Sequence, residues 1–521
     1  MTAARYLLKW IPRAALCRAS ACCLGVLAMS MSLNAAQTTS LTIYSTARPG
    51  AIPPEWYRPL PESMGGGTVF RQVPGYAVVR QDRSFEIGAG RSTVRFTDVA
   101  ALIDPTTVTF SSLTDPKTTV IEQSYQFDLV STAKLLERFI DREITLEQAR
   151  GDQVARFTGK LLSTAGGAVL QMPDGGVQIV NGYASAVLPS LPGGLMTQPT
   201  LVWDVESEKA GPQQIRVSYQ TSGITWWADY NIVFTEGAHA NAGVLDVGAW
   251  VSILNQSGGS YPEATLKLIA GDVQRAAPQD AVAEMVPMMA RAAGAKAAGF
   301  EEKAFFEYHL YTLGRPTTIP DRSTRQIELF DAARGVPCEK VLVYDGMGTS
   351  LRGMYGAPLT ERQYGVESNK KVDIYLQFKN SESIGMGMPL PSGRVRVSKL
   401  DPADGSLEFI GEDTIDHTPR NEEVRIKLGS AFDVVGERRQ VDFRIDTGRK
   451  LMEEEIEIKI RNHKDEAVEV VVQERLFRWV NWEILKASHK HEKIDARTIK
   501  FPVKVDKSGE AVVRYSVRYT W

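Results

Sequence analysis

Asp416 and His417 stand side by side behind Glu412 and Asp413, and together they form the best acid–histidine grouping in the chain. An imidazole beside carboxylates can do general acid–base chemistry, and a serine-type hydrolase needs in addition a hydroxyl brought close by folding. No Gly-x-Ser-x-Gly elbow supplies that hydroxyl. His489 and His491 are two apart and so share one face of a strand. Two ligands are not a metal site, and a surface pair is the expectation. His491-Glu492-Lys493-Ile494-Asp495 opens like a zinc-protease motif but ends in Asp. Gly65-Gly66-Gly67 lacks the lysine of a phosphate loop. Cys338 follows Pro337 beside an apolar strand, which predicts an inert buried thiol. Acid runs such as Glu453-Glu454-Glu455 and Glu301-Glu302 read as charged strand faces. These residues predict no catalytic centre, no metal and no cofactor.

The aromatics are the better functional signal. Trp226 and Trp227 are adjacent in a strand and point to opposite faces, which leaves room for one to be exposed, with core packing the default for each aromatic. Trp479 and Trp482 lie three apart beside Phe477. An exposed aromatic can stack on a sugar ring or fill a partner's pocket. The candidate binding residues are therefore Trp226, Trp227, Trp479, Trp482, Asp416 and His417.

Elements of export and folding must position them. Residues 1–36 read as a signal peptide: Arg5, Lys9, Arg13 and Arg18 without an acid, an apolar stretch over residues 19–31, then Leu33-Asn34-Ala35-Ala36 for a peptidase. An uncleaved anchor is the alternative, although the apolar run is short for a span. The whole chain carries 60 Lys+Arg against 62 Asp+Glu. Loss of the leader removes four of the bases and no acid. The signs are interspersed, which excludes a nucleic-acid footprint. Cys17, Cys22 and Cys23 leave with the leader, so the exported chain keeps Cys338 alone and folds without an internal disulfide. No second apolar segment of spanning length follows.

After a Pro- and Gly-rich flexible lead-in over residues 37–74, which is expected to lack a core, the chain reads as strand almost throughout. Residues 75–126 and 199–275 are expected to form one β-sandwich. A small helix-led barrel of SH3/Sm-like kind is expected between them, over residues 127–198. There Ser131 or Thr132 can cap a helix, and strands are predicted at 144–147, 154–157, 159–163, 168–172 and 176–180. Residues 276–299, rich in Ala and Met, are a linker. Residues 300–368 form a connecting β region, 369–440 a sandwich, and 441–521 a C-terminal immunoglobulin-like sandwich. The fold class is mainly β and multidomain.

The chain resembles the bacterial family known as domain of unknown function 4139, which includes mucoidy-inhibitor MuiA-like proteins. The resemblance runs from about Gly75 to Trp521. Leu313-Gly314-Arg315-Pro316-Thr317-Thr318, Gly387-Met388-Pro389-Leu390-Pro391, Ile415-Asp416-His417-Thr418-Pro419 and the closing Arg514-Tyr515-Ser516-Val517-Arg518-Tyr519-Thr520-Trp521 carry it. It implies a strand-rich envelope protein with an indirect link to exopolysaccharide, and it brings no catalytic motif. The functional expectation is non-catalytic binding or scaffolding in the periplasm, with an envelope protein or surface polysaccharide as partner. Secretion and outer-membrane association are the other locations weighed. A hydrolase acting on an envelope polymer is one alternative. An outer-membrane-associated β protein is the other, suggested by the alternation of Val513, Tyr515, Val517, Tyr519 and Trp521.

Overall fold

The computed structural model describes residues 37–45, 73–126, 131–150, 153–190, 198–271, 300–347, 357–363 and 368–521, with residues 47, 50, 52, 53, 56 and 273. The signal peptide and the Ala/Met-rich linker expected from the sequence lie outside them. The chain is mainly β and contains several sheets packed in sandwich-like fashion. No helix among the described residues is long and apolar enough to cross a membrane.

The lead-in reading needs correction at its start. Thr38–Tyr44 is a central strand, pairing antiparallel with Tyr76–Ile87 and parallel with Tyr261–Ala270. Leu41 and Ile43 alternate with Thr and Ser, and both are fully buried. A seven-residue alternation looks weak alone, and its parallel partner lies more than 200 residues away, so local pattern could not reveal it. This eight-stranded sheet also pairs Tyr76–Ile87 with Gly211–Ser222, across the segment that separates them in sequence. A three-stranded sheet of Gly90–Thr97, Thr200–Ser207 and Thr119–Gln126 and part of a thirteen-stranded sheet share its core. Trp203, Tyr219, Trp226 and Tyr230 are among the large side chains buried there.

The intervening segment has its own small core of Leu136, Phe139, Ile144, Leu146, Leu161, Ala168, Leu170 and Val180. Its helix is Thr132–Arg138, and the Ser131 side chain accepts from the Lys134 N–H. Its strands are Glu143–Arg150, Gln153–Ser163, Ala168–Gln171, Val177–Val180 and Ser185–Val187. Gln153–Ser163 is continuous where the sequence suggested two strands, and Ser185–Val187 pairs back on Glu143–Arg150.

Two unusually long strands, Ser323–Asp345 and Glu423–Asp446, build the thirteen-stranded sheet. The first half of Ser323–Asp345 pairs with Ala242–Asn255, and its second half pairs with Lys371–Lys379 and Val468–Arg475. Glu423–Asp446 likewise pairs with Lys371–Lys379 as far as Val435 and with Leu451–Asn462 from Val434 onward. The boundary expected at 440/441 thus falls inside one strand. Two ion pairs are buried with the apolar side chains of the C-terminal core. Arg438 Nε lies 3.0 Å from Glu474 Oε2, and Arg478 Nε lies 3.1 Å from Glu454 Oε2.

Arg216 clamps Asp82 through two bonds of 2.8 and 2.7 Å on adjacent strands, holding the Asp82 carboxyl below the usual carboxylate range. Arg514 does the same for Glu457. Because both are depressed by folding, the stability they contribute is complete at neutral pH and is lost as pH falls through about 4 and below. The melting temperature should therefore drop on the acid side, and Asp82→Asn should make that drop shallower while lowering the neutral plateau. An unchanged acid slope would contradict the linkage.

Candidate functional site

The segments 387–391 and 415–419 meet in space. Leu390 and Thr418 exchange backbone hydrogen bonds of 2.8 and 2.9 Å. Asn380 Nδ2 donates to the carbonyls of Met388 and Pro419, at 2.9 and 3.2 Å. Two buried tyrosines finish the arrangement: Tyr311 donates to the Pro389 carbonyl at 2.8 Å and Tyr230 to that of Pro391 at 2.7 Å. Burial pushes both phenols well above their ordinary range, so they remain donors. These motifs therefore fix a loop.

That loop brings a hydroxyl to the acid–histidine pair, in a geometry unsuited to hydrolysis. Asp416 and His417 are both exposed. His417 Nδ1 accepts the backbone N–H of Ser392 at 3.0 Å, so a neutral ring carries its proton on Nε2. Nε2 then faces Ser392 Oγ, 3.5 Å away, as a donor rather than as a base. A triad needs the reverse, with Nδ1–H held by a carboxylate and Nε2 free to take the serine proton.

The first tryptophan pair takes the default of core packing and is thereby removed as a binding candidate. Trp226 and Trp227 are both buried, 2 and 6 % exposed. Trp226 lies in the main core, edge-on to Tyr311. Trp227 faces the other side of the sheet, as the alternation requires, but Ile52, Val73 and Leu254 cover it. Its Nε1 donates to Asp229 Oδ2 at 2.7 Å. Trp479 and Trp482 are half-buried against the C-terminal core. The Trp479 Nε1 is buried without an acceptor, and the Trp482 Nε1 donates to the Ala496 carbonyl at 2.9 Å. The six expected residues thus lie at three places and form no single site.

Cys338 is buried, and burial pushes its thiol up to about 11. Among the described residues, no group of three or more His, Cys, Asp or Glu side chains can hold a metal ion.

A cleft of about 470 Å³ opens where Ile103–Ser112, at the edge of the eight-stranded sheet, faces Thr119–Gln126, at the edge of the three-stranded one. Val108, Phe110, Ser111, Ser112, Thr118 and Gln123 are among its walls, and no lining side chain titrates. Ser112 and Thr118 both donate to Gln213 Oε1, at 2.9 Å each. Gln123 spans the two sheets, accepting from Trp203 Nε1 at 2.7 Å and donating to the Pro105 carbonyl at 3.0 Å. The walls are thereby fixed and uncharged, which suits binding and offers no acid, base or nucleophilic thiol for chemistry.

An exposed tryptophan was not singled out by the sequence reading. Trp250 is 39 % exposed. The signal was present: Leu245, Val247, Ala249, Val251 and Ile253 occupy the inward positions of Ala242–Asn255, which turns Trp250 outward. No family model, curated protein or solved structure matches the chain.

Proposed function

We propose that the protein is exported and acts in the periplasm as a non-catalytic binding or assembly component of the cell envelope. Its partner in this reading is an envelope protein or a surface polysaccharide. The observation that carries the reading is the cleft between Ile103–Ser112 and Thr119–Gln126, braced by Gln123 and lined without a titratable group. The exposed Asp416–His417 pair, with its proton on the wrong nitrogen for a base, weighs against the hydrolase alternative.

The reading also takes the chain as a member of the family it resembles, domain of unknown function 4139. It takes residues 132–187 as an SH3/Sm-like barrel, which the strand order supports: last strand, first, second, third, fourth. It takes the C-terminal strands as an immunoglobulin-like sandwich, supported by their antiparallel pairing around one apolar core.

A photo-crosslinking residue at Ser111 or Thr119, on the rim of the cleft, tests the function in cells. The expected result is a reproducible envelope protein or glycan adduct that a crosslinker at exposed Lys507 does not give. Purified protein should leave cell-wall and capsular polysaccharides uncut. Release of new reducing ends, abolished by His417→Ala, would overturn the proposal in favour of a hydrolase.

A further inference from the structure

We infer that the outer face of the thirteen-stranded sheet around Trp250 is a binding site for uncharged saccharide rings. This inference rests on the binding reading above but places a ligand class at a different surface from the cleft.

Strand register defines the site. Trp250 lies directly across from Asp229 on one side and from Glu328 on the other. Asp229 is opposite Arg394, and Asn231 is opposite both Gly248 and Arg396. Arg396 in turn faces Glu412 on the edge strand Leu407–Ile415. Residues directly opposite in neighbouring strands share a face, and strands are roughly 5 Å apart. An exposed indole therefore has an amide, two guanidinium groups and three carboxylates on its own face within a few strand widths.

Three properties of this face match a sugar. The first is room beside the ring. Gly248 precedes Trp250 by two on the same face, and a Cβ there would meet nothing nearer than the Asn231 carbonyl, 3.7 Å away. A flat shelf is left against the indole, on which the C–H face of a pyranose can stack. The second is preorganisation. Asp229 is nearly buried, yet it accepts from Trp227 Nε1 at 2.7 Å and Ser252 Oγ at 3.0 Å, and Arg394 Nη2 lies 3.3 Å from its other oxygen. Arg396 Nε donates to Glu412 Oε2 at 2.9 Å. Asp229 thus positions Arg394, while Arg396 and Glu412, part-exposed and already held in place, lose little entropy on taking vicinal hydroxyls. The third is charge. Arg394 and Arg396 are matched by Asp229 and Glu412, and Glu328 adds a further negative charge beside the indole. A balanced, slightly acidic surface favours a neutral sugar over a uronic acid or a phosphate.

The experiment uses the full mature chain and neutral tetrasaccharides of glucose, galactose, mannose and N-acetylglucosamine, with a hexuronic acid tetrasaccharide as the charged control. Saturation-transfer NMR and calorimetry read binding. At least one neutral tetrasaccharide should bind. Trp250→Ala should weaken it about tenfold or more, Trp250→Phe should retain most of it, and Gly248→Val should abolish it by filling the shelf. Because Trp250 is part-exposed, thermal melts should stay close to wild type for the Trp250 variants, which separates lost binding from lost fold. Binding that survives both Trp250→Ala and Gly248→Val would overturn the location while leaving the binding reading intact. No binding by any neutral tetrasaccharide, or a preference for the hexuronate, would overturn the ligand class, whatever the crosslinks at the cleft show.

Discussion

Replacing Glu474 by Gln should destabilise the protein by about 3–5 kcal/mol, a large effect for one atom's change. Glu474 is fully buried, and Arg438 beside it is 2 % exposed. The guanidinium lies 3.0 and 3.1 Å from the two carboxylate oxygens, and the Tyr515 hydroxyl donates to one of them. Burial pushes the Glu474 carboxyl up and the neighbouring Arg438 charge pulls it back. Removing the negative partner leaves the Arg438 cation without its buried counter-charge among side chains such as Val470, Phe501 and Val513. The stem of Arg438 is packed against Gly346, where a Cβ would meet Arg438 Cδ at 2.7 Å. The triple change Arg438→Met, Glu474→Leu and Tyr515→Phe should return to within about 1–2 kcal/mol of wild type, since well-packed apolar groups replace buried ion pairs at little cost. Urea unfolding at constant slope measures both. A Glu474→Gln penalty below about 1 kcal/mol would show that water or rearrangement reaches the pair.

Trp203→Ala should cost about 3–5 kcal/mol and abolish the crosslinks proposed for the cleft. Trp203 is fully buried, with ring centroids 5.5 Å from Phe96 and 5.2 Å from Phe110. Phe110 is a cleft wall, and the indole N–H fixes Gln123, which ties the two sheet edges together. Trp203→Phe separates the two roles. It keeps much of the packing, so the stability loss should be smaller, but it leaves the Gln123 oxygen without its donor. The crosslink yield from Ser111 should therefore fall in both variants, while denaturation midpoints fall mainly in Trp203→Ala. Full crosslinking in Trp203→Phe would show that Gln123 needs no brace.

Much of the chemistry was absent from the sequence for physical reasons. Trp226 and Trp227 were assigned opposite faces, and they have them, but exposure depends on what covers the second face. Residues from the lead-in and from Ala242–Asn255 cover Trp227, and no local pattern announces that. His417 was a reasonable candidate base until Ser392, 25 residues earlier, donated its N–H to Nδ1 and fixed the tautomer. Glu454 read as part of a charged strand face but is buried against Arg478, because burial of an ion pair is decided by strands that meet from distant parts of the chain.

By itself, the sequence determined the mainly β class, the position of the capped helix at Thr132–Arg138 and the alternation that sorts each strand into an inward and an outward face. Those features depend on side-chain period and local hydrogen bonding, which neighbours a few residues apart supply. Only the tertiary structure decided that Thr38–Tyr44 is a central strand, that two long strands cross from one core to the next, and that Trp250 rather than Trp227 meets solvent. Strand pairing is made by backbone groups that every residue carries, so register and partner are set by the best burial over the whole chain and leave little trace in any one segment.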